Sequence, residues 1–374
     1  MASVFGFSVA SLLLDIVFLA FVVLVLWGIK FRHSNESDCD YLSREQSTPI
    51  RGCAALAVVL HHFSQNVPDG MLFRIFTRAG VLAVGLFFFY SGYGLMHQYK
   101  TKDNYAASFF KHRLPSLLIP FLTVAAMWCA AYLIHDKSIV SVFNRILEIK
   151  NGTTIIPYSW YVFVILALYI VFGITIKYAS RKGEKKPLLT IIIATVFCCV
   201  WIVGSTLIGF GGWWCNSCLC FVLGMIWKQY QEKIDHFLNT KGHVWVVAAV
   251  SFIIFLVAFL RSNIFSADLI TFLPEIILKI VRYGFSFVEP LMFCIVAVLI
   301  LMHLRIGNRV STWLGGISYE IYLVQGIAIS AVNDFMLSHQ FAAVVIVISA
   351  TIIMAVVLNR VDSWIVKKIQ HREK

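Results

Sequence analysis

The chain consists of long apolar blocks separated by short segments that hold most of its Lys and Arg residues. A hydrocarbon core of about 30 Å needs about 20 helical residues to cross it, and the blocks match this length. Hydrophobic residues make up 60% of the chain and charged residues 13%, against roughly 45–50% and about 25% in a soluble domain. A soluble fold could not bury so much apolar surface. The sequence therefore predicts an all-α, polytopic integral membrane helical bundle.

Apolar runs, read against their charged or Gly/Pro-rich boundaries, predict about eleven transmembrane helices. The predicted spans are residues 5–29, 50–64, 80–97, 117–134, 159–177, 188–208, 213–227, 244–260, 281–303, 314–332 and 341–364. The first is too long for a signal peptide and no small-residue cleavage site follows it, so we expect it to be retained. Segment 262–279 is apolar but interrupted by Pro274. This segment either lies at the outer membrane interface or crosses the membrane. If it crosses, the orientation of every later helix is inverted.

The basic residues predict the orientation of the bundle. If the N-terminus lies outside, the cytoplasmic segments are 30–44, 99–113, 177–186, 228–241, 305–309 and the tail from residue 360, and these carry most of the Lys and Arg. The topology thus accounts for the net charge of +12. The sequence has no basic stripe interleaved with exposed aromatic residues, which is the pattern that would indicate nucleic-acid binding. We expect a multi-pass protein of the plasma or inner membrane with a cytoplasmic C-terminus.

The second predicted span carries three ionisable residues, and such groups at membrane depth are costly and usually functional. Arg51 and His62 are eleven residues apart, which is three helical turns plus roughly 20°, so they share a helix face about 16 Å apart along the axis. His61 points about 80° away. We expect Arg51 to bind phosphates and an uncharged His62 to act as a general base, both lining one water-accessible tunnel. Alternatively, Arg51 anchors the helix end and the histidines hydrogen-bond neighbouring helices.

This span is one of four segments that occur in a recognisable order. They are residues 51–63 (Arg, ten residues, His), 84–93 (Val-Gly-Leu-Phe-Phe-Phe-Tyr-Ser-Gly-Tyr), 110–120 (Phe-Lys-His-Arg to Pro) and 317–323 (Ile-Ser-Tyr-Glu-Ile-Tyr-Leu). Together they resemble the membrane-bound acyltransferase 3 family, whose members include bacterial O-acetyltransferases of surface polysaccharides and peptidoglycan. Three positions depart from the family pattern: Gly85, Ser116 and Gln325 stand where many members have Asp, Arg and His.

The resemblance runs from about residue 41 to the C-terminus and implies a ten-helix acyltransferase core. Residues 1–40 would then form an additional N-terminal transmembrane helix and a cytoplasmic loop, and residues 41–374 the core. The implied reaction moves an acyl group, most simply acetyl, from cytoplasmic acyl-CoA to a hydroxyl of a cell-surface or lipid-linked carbohydrate. Delivery would be direct or through a separate extracytoplasmic partner transferase.

The family motifs, together with the aromatic pair at the start of the fifth predicted span, give the expected site residues. The expected catalytic residues are His62, Arg51 and His61, the expected acyl-CoA ligands are Arg51, Lys111 and Arg113, and the expected substrate or pocket residues are Ser91, Trp160, Tyr161, Glu320, Tyr322 and Gln325. Acetyl-CoA or another acyl-CoA is a co-substrate, and we expect no permanently bound cofactor. We expect no metal either, because the CxxC of Cys215 and Cys218 has no second pair to complete a zinc site.

Several of these residues also have purely structural interpretations. Ser91 beside Gly92 favours close helix packing. Trp160 and Tyr161 suit the aromatic belt at a membrane interface. Glu320 lies within a span, where an acid needs a partner, and we expect it to pair with His61 or His62.

The alternative function is a proton-coupled transporter or flippase that performs no acyl transfer. Many helices, short loops and buried ionisable groups suit such a protein, with His61, His62 and Glu320 relaying protons. A third possibility, intermediate between an enzyme and a transporter, is a sensor or assembly factor that keeps the acyltransferase fold but has lost catalysis. The three departures from the family pattern favour this possibility.

Overall fold

The computed structural model describes residues 9–32, 40–180, 185–240, 242–260 and 275–371. Apart from short 3-10 turns and one two-residue β pairing, the regular structure in these ranges is α-helical. The described helices are α1 (Val9–Leu26), α2 (Arg44–Ser64), α3 (Phe76–Thr101), α4 (Tyr105–Asp136), α5 (Ile139–Leu147), α6 (Trp160–Ser180), α7 (Pro187–Ile208), α8 (Leu219–Asn239), α9 (His243–Phe259), α10 (Glu275–His303), α11 (Arg309–Gly316), α12 (Ser318–Ala331) and α13 (Gln340–His371). The prediction of a polytopic helical membrane protein is confirmed.

Each predicted span overlaps a described helix, but not every helix is long and apolar enough to cross a membrane. In the described ranges seven helices qualify, and the pair Gly212–Asn239 and His243–Phe259, bent by 108°, brings the number to eight if it is one span. The structure thus supports seven to eight candidate spans and not the predicted eleven. The predicted segment 262–279 falls mostly on residues 261–274, which lie outside the described ranges.

Two of the predicted spans fall short for identifiable reasons. The first turns of α2 are polar, with the sequence Arg-Glu-Gln-Ser-Thr, so its mean hydropathy is low. The predicted span 314–332 is divided near Ile317 into α11 and α12, which are 8 and 14 residues long. Neither α11 nor α12 alone reaches the length of about 20 residues that a bilayer requires.

Glycines bring the central helices into backbone contact. A Cβ on Gly92 of α3 would lie 1.9 Å from the Phe221 carbonyl oxygen, and a Cβ on Gly224 of α8 would lie 2.1 Å from the Phe89 carbonyl oxygen. In lipid, where apolar side chains gain little by leaving the solvent, such close approach is a main source of helix association. The predicted packing role of the Ser91–Gly92 pair therefore belongs to Gly92.

A second pair of glycines joins α2 to the break between α11 and α12. A Cβ on Gly52 would lie 2.2 Å from the Ser311 carbonyl oxygen, and a Cβ on Gly315 would lie 1.9 Å from the Thr48 carbonyl oxygen. Gly52 immediately follows Arg51. This crossing therefore fixes the position of the Arg51 guanidinium along the helix axis relative to α12.

The N-terminal helix α1 is held to the bundle at both of its ends. The Asp15 carboxylate accepts hydrogen bonds from the backbone N–H groups of Leu72 (2.8 Å) and Phe73 (3.0 Å). At the other end, the Asn308 side-chain amide donates to the carbonyl groups of Leu24 and Trp27. Asp15 is thus an anchor of α1.

A short antiparallel pairing follows α1. Lys30 pairs with Arg305 and Phe31 with Leu304. Segments 30–44 and 305–309, which are both predicted to be cytoplasmic, therefore meet at the same end of the bundle.

We predict that Gly92→Ala destabilises the protein while Gly94→Ala, on the same helix, does not. The first Cβ would overlap backbone of α8, an overpacking that costs about 1–3 kcal/mol. The second finds no atom within 4 Å, and alanine is the better helix former. Thermal unfolding of the purified protein in detergent, followed by tryptophan fluorescence, measures both. Equal midpoints for the two variants would contradict the proposed helix contact.

Candidate active site

A cavity of about 990 Å³ lies between α2, α3, α4, α6 and the start of α12. One end is formed by exposed residues of the predicted cytoplasmic segments, among them Arg44 and Lys102. The other end reaches the buried rings of Tyr90, Tyr161 and Tyr322. The cavity therefore runs from a charged mouth to an aromatic floor.

Four cations line this cavity: Arg44, Arg51, Lys102 and Arg113. Among the residues that the structure describes, none of the four forms an ion pair with a carboxylate. Of the two acids in the lining, Asp103 lies 3.7 Å from Lys185 and Asp40 accepts a hydrogen bond from the Tyr93 hydroxyl. With four cations and two carboxylates in its lining, the cavity thus has an excess of positive charge among the described residues.

Arg51 and Arg113 are held by neutral oxygens. The Arg51 guanidinium donates to the Thr48 hydroxyl at 3.1 Å, and Arg113 Nε donates to the Tyr105 hydroxyl at 3.4 Å. Arg51 Nε is buried and has no partner among the described residues. Both guanidinium groups keep donors for an anionic ligand, and the forked geometry of guanidinium suits phosphate.

His62 does not line the cavity. Its side chain is only 8% exposed, and its ring stacks on that of Tyr158, with ring centroids 4.0 Å apart and an interplanar angle of 21°. The Tyr158 carbonyl accepts a hydrogen bond from the hydroxyl of Tyr322, a residue of the cavity floor. The structure does not bring His62 into the lining of the cavity that contains Arg51; its ring packs on Tyr158, whose carbonyl is bonded by the floor residue Tyr322.

The two neighbouring histidines differ in their hydrogen bonds. His61 Nδ1 lies 2.9 Å from the Phe76 carbonyl oxygen, and its Nε2 lies 3.2 Å from the Gln65 side-chain nitrogen. Since the carbonyl requires a donor, Nδ1 carries the proton and Nε2 accepts one from Gln65. His62 Nδ1, in contrast, is buried without a partner in the described part of the chain. His62 thus keeps a ring nitrogen free for chemistry.

Glu320 does not pair with a histidine as the sequence predicted. Its carboxylate accepts a hydrogen bond of 2.8 Å from the Asn359 side-chain amide on α13. Glu320 and Gln325 are both buried and both lie outside the cavity lining. The Gln325 amide donates to the Tyr322 carbonyl oxygen at 3.1 Å, so it supports the helix that carries the floor residue.

The predicted site residues therefore divide into two groups. Those that line the cavity are Arg51, Ser91, Arg113, Tyr161 and Tyr322. Those that do not are His61, His62, Lys111, Trp160, Glu320 and Gln325. Lys111 is exposed on α4, two residues from Arg113.

Three residues of this region were not singled out from the sequence. Arg44 and Lys102 lie in segments whose charge was read only as a topology signal. Tyr158 directly precedes the predicted fifth span, and its contact with His62 joins residues that are far apart in the chain.

Of the three departures from the family pattern, Ser116 lines the cavity, whereas Gly85 packs against Pro290.

Comparison with protein families gives one match. A family model of the acyltransferase 3 type, described as an acyltransferase domain, matches residues 50–360. This range contains all four recognised segments, with His61 and His62 in the first of them. No curated protein and no solved structure matches the chain.

We predict that Asn359→Leu destabilises the protein by about 1–3 kcal/mol, because it leaves the buried Glu320 carboxylate without its donor. The double variant Asn359→Leu with Glu320→Leu should recover most of that loss, since neither polar group then remains. Thermal unfolding of the four proteins in the double-mutant cycle measures the coupling. Strictly additive losses would show that the two side chains do not depend on each other.

Proposed function

The chain belongs to the acyltransferase 3 family, and we propose that it transfers an acyl group, most simply acetyl, from cytoplasmic acyl-CoA to a hydroxyl of a cell-surface or lipid-linked carbohydrate. Membership of the family makes the chain a membrane acyltransferase; the donor, the acetyl group and the acceptor are the proposal. The observation that carries it is the cavity in which four cations, without carboxylate partners in the described ranges, lead to a buried aromatic floor; the floor residue Tyr322 bonds Tyr158, and Tyr158 stacks on His62.

The shape and charge of the cavity suit an acyl-CoA. CoA carries its phosphates at one end and the thioester at the other, on a long and mostly uncharged arm. Arg51 and Arg113 would bind the phosphates, with Arg44 and Lys102 at the mouth. The uncharged arm would then extend along the aromatic rings. The volume of about 990 Å³ is at the upper end of the roughly 300–1,000 Å³ typical of ligand sites.

His62 is the proposed general base. Its free ring nitrogen would take the proton of the acceptor hydroxyl while the hydroxyl oxygen attacks the thioester carbonyl carbon. The C–S bond then breaks, and the departing sulfur receives the proton from the imidazolium. Helix α2 is continuous from Arg44 to Ser64, so Arg51 can hold the phosphates about 16 Å along the axis from His62. His61, whose two nitrogens are already engaged, would position His62.

The acceptor would arrive from the predicted outer side. Gln65 and Asn66, one turn beyond the histidines, are exposed, and they belong to the predicted outer loop after α2. We propose an outside N-terminus, a cytoplasmic C-terminus and acyl delivery across the bilayer, either directly to the glycan or to a partner transferase. A proton relay through His61, His62 and Glu320, as a transporter would use, is disfavoured because Glu320 bonds Asn359.

We expect Arg51→Ala and Arg113→Ala each to weaken acetyl-CoA binding about tenfold to a hundredfold, as the loss of a charge-assisted hydrogen bond would. Lys111→Ala removes the same charge from the same helix as Arg113→Ala, but outside the cavity, and should change the affinity little. Equilibrium binding of labelled acetyl-CoA to the protein in nanodiscs measures all three. Equal effects of Lys111→Ala and Arg113→Ala would argue against donor binding in this cavity.

We expect His62→Ala to lower acetyl-CoA turnover by about 10²–10⁴-fold, the usual contribution of a general base, while acetyl-CoA binding is retained. His135→Ala, which changes an exposed histidine at the end of α4, is the control and should leave turnover unchanged. Release of labelled acetate and transfer to glycans, measured by mass spectrometry, give the rate. Unchanged turnover in His62→Ala would refute this mechanism.

A further inference from the structure

Two aromatic rings lie against the imidazole of His62 in the described chain: His61, with ring centroids 4.8 Å apart, and Tyr158, at 4.0 Å. His61 is fixed by hydrogen bonds at both of its nitrogens, and Gly80 packs directly on its ring. Tyr158 is half-buried. Of the two rings, Tyr158 is therefore the one whose movement can uncover His62.

The backbone of Tyr158 is held in an unusual conformation. Its φ is +68°, in the left-handed region that bulky residues rarely adopt. Pro157 restricts the chain on one side and packs on Gly326 of α12. On the other side, the Tyr322 hydroxyl donates to the Tyr158 carbonyl. Because the main chain is fixed by these contacts, rotation of the side chain is the smallest motion that takes the ring off His62.

The same contacts connect Tyr158 to both sides of the proposed reaction. Tyr322 lines the floor of the cavity, so a molecule at the floor touches the residue that holds the Tyr158 carbonyl. The exposed Asn66 donates to the His62 carbonyl at 2.8 Å. Tyr158 is thus in contact with Tyr322 of the cavity floor and with His62, and His62 in turn is bonded by Asn66 of the predicted outer loop.

We propose that Tyr158 is a positioning residue that covers His62, and that acyl transfer requires its ring to rotate off the imidazole. The proposal rests on the proposed function in that it takes His62 to be the base and the cavity to hold the acyl donor. A covered base cannot activate water against the thioester, so the cover limits wasteful hydrolysis until donor and acceptor are both bound. Occupation of the floor acts on the cover through Tyr322.

The test is the reactivity of His62 toward diethyl pyrocarbonate, which modifies accessible uncharged imidazole nitrogens. Peptide mass spectrometry with fragmentation distinguishes modification of His61 from that of His62. We expect Tyr158→Ala to raise the His62 modification rate tenfold or more, and Tyr158→Phe, which keeps the ring, to stay within about threefold of the wild type. The exposed His112 serves as a reference for the reagent. An unchanged His62 rate in folded Tyr158→Ala would overturn the proposal.

A second variant tests the same cover with a smaller change. Tyr322→Phe keeps the floor ring and removes only the hydroxyl that holds the Tyr158 carbonyl. We expect His62 modification to rise about fivefold, as the loss of one neutral hydrogen bond would give. This variant decides the question if Tyr158→Ala does not fold. A His62 rate equal to that of the wild type in Tyr322→Phe would then count against the cover.

Acetyl-CoA binding and turnover, measured on the same preparations, separate failure of the cover from failure of the function. If the wild type binds acetyl-CoA but His62 reactivity ignores Tyr158, the cover is wrong and the proposed function stands. If the wild type neither binds nor consumes acetyl-CoA, the proposed function fails, and the His62 rates in the variants still decide whether Tyr158 covers it. In the expected case, Tyr158→Ala also increases acetyl-CoA hydrolysis relative to transfer, whereas a purely structural defect would lower both.

Discussion

Backbone contact between helices at glycines is the constraint on which the rest of this structure depends. In a bilayer the helices gain little from hiding apolar side chains, so close packing must hold them together. Gly52 and Gly315 bring α2 against α11 and α12, and Gly92 and Gly224 bring α3 against α8. These two crossings set the positions of α2, α3 and α12, which supply Arg51, Ser91 and Tyr322 to the cavity. Space for a ligand remains where the facing helix surfaces carry aromatic side chains and not glycines.

In the candidate site, the cations and His62, the proposed general base, lie in different environments. Cations at the cavity have no carboxylate partners among the described residues, whereas His62 is enclosed by rings and keeps one nitrogen free. An unpaired cation is tolerable at a water-filled mouth because water solvates it until a ligand arrives. A base is most useful in the opposite environment, where competing water is excluded. Tyr158 and Tyr322 join these two environments by direct contact.

Several ionisable residues within the helices have local hydrogen-bond partners, and this narrows the candidates for chemistry. Glu320 bonds Asn359, His61 bonds Phe76 and Gln65, and Asp15 caps the chain near Phe73. Each of these is an ionisable group at or near membrane depth, which by itself suggests function. Their partners show that a buried ionisable residue also serves to hold helices together. Arg51 Nε and His62 Nδ1, in contrast, are buried without a partner among the described residues, which makes Arg51 and His62 better candidates than these three.

The sequence by itself determined the membrane location, the helical class and the family. These follow from quantities local to the chain, namely the length of apolar runs and the order of four short motifs. It also determined that Arg51 and His62 lie on one continuous helix, because a spacing of eleven residues has a fixed meaning in an α-helix. Only the tertiary structure decided that Arg51 lines the cavity while His62 packs under Tyr158. It also decided that Arg113, and not Lys111, lines the cavity. Finally, it decided that Glu320 bonds a residue of α13. Those outcomes depend on which helices cross and where a loop residue such as Tyr158 is placed, and contacts between distant parts of the chain have no local pattern from which to read them.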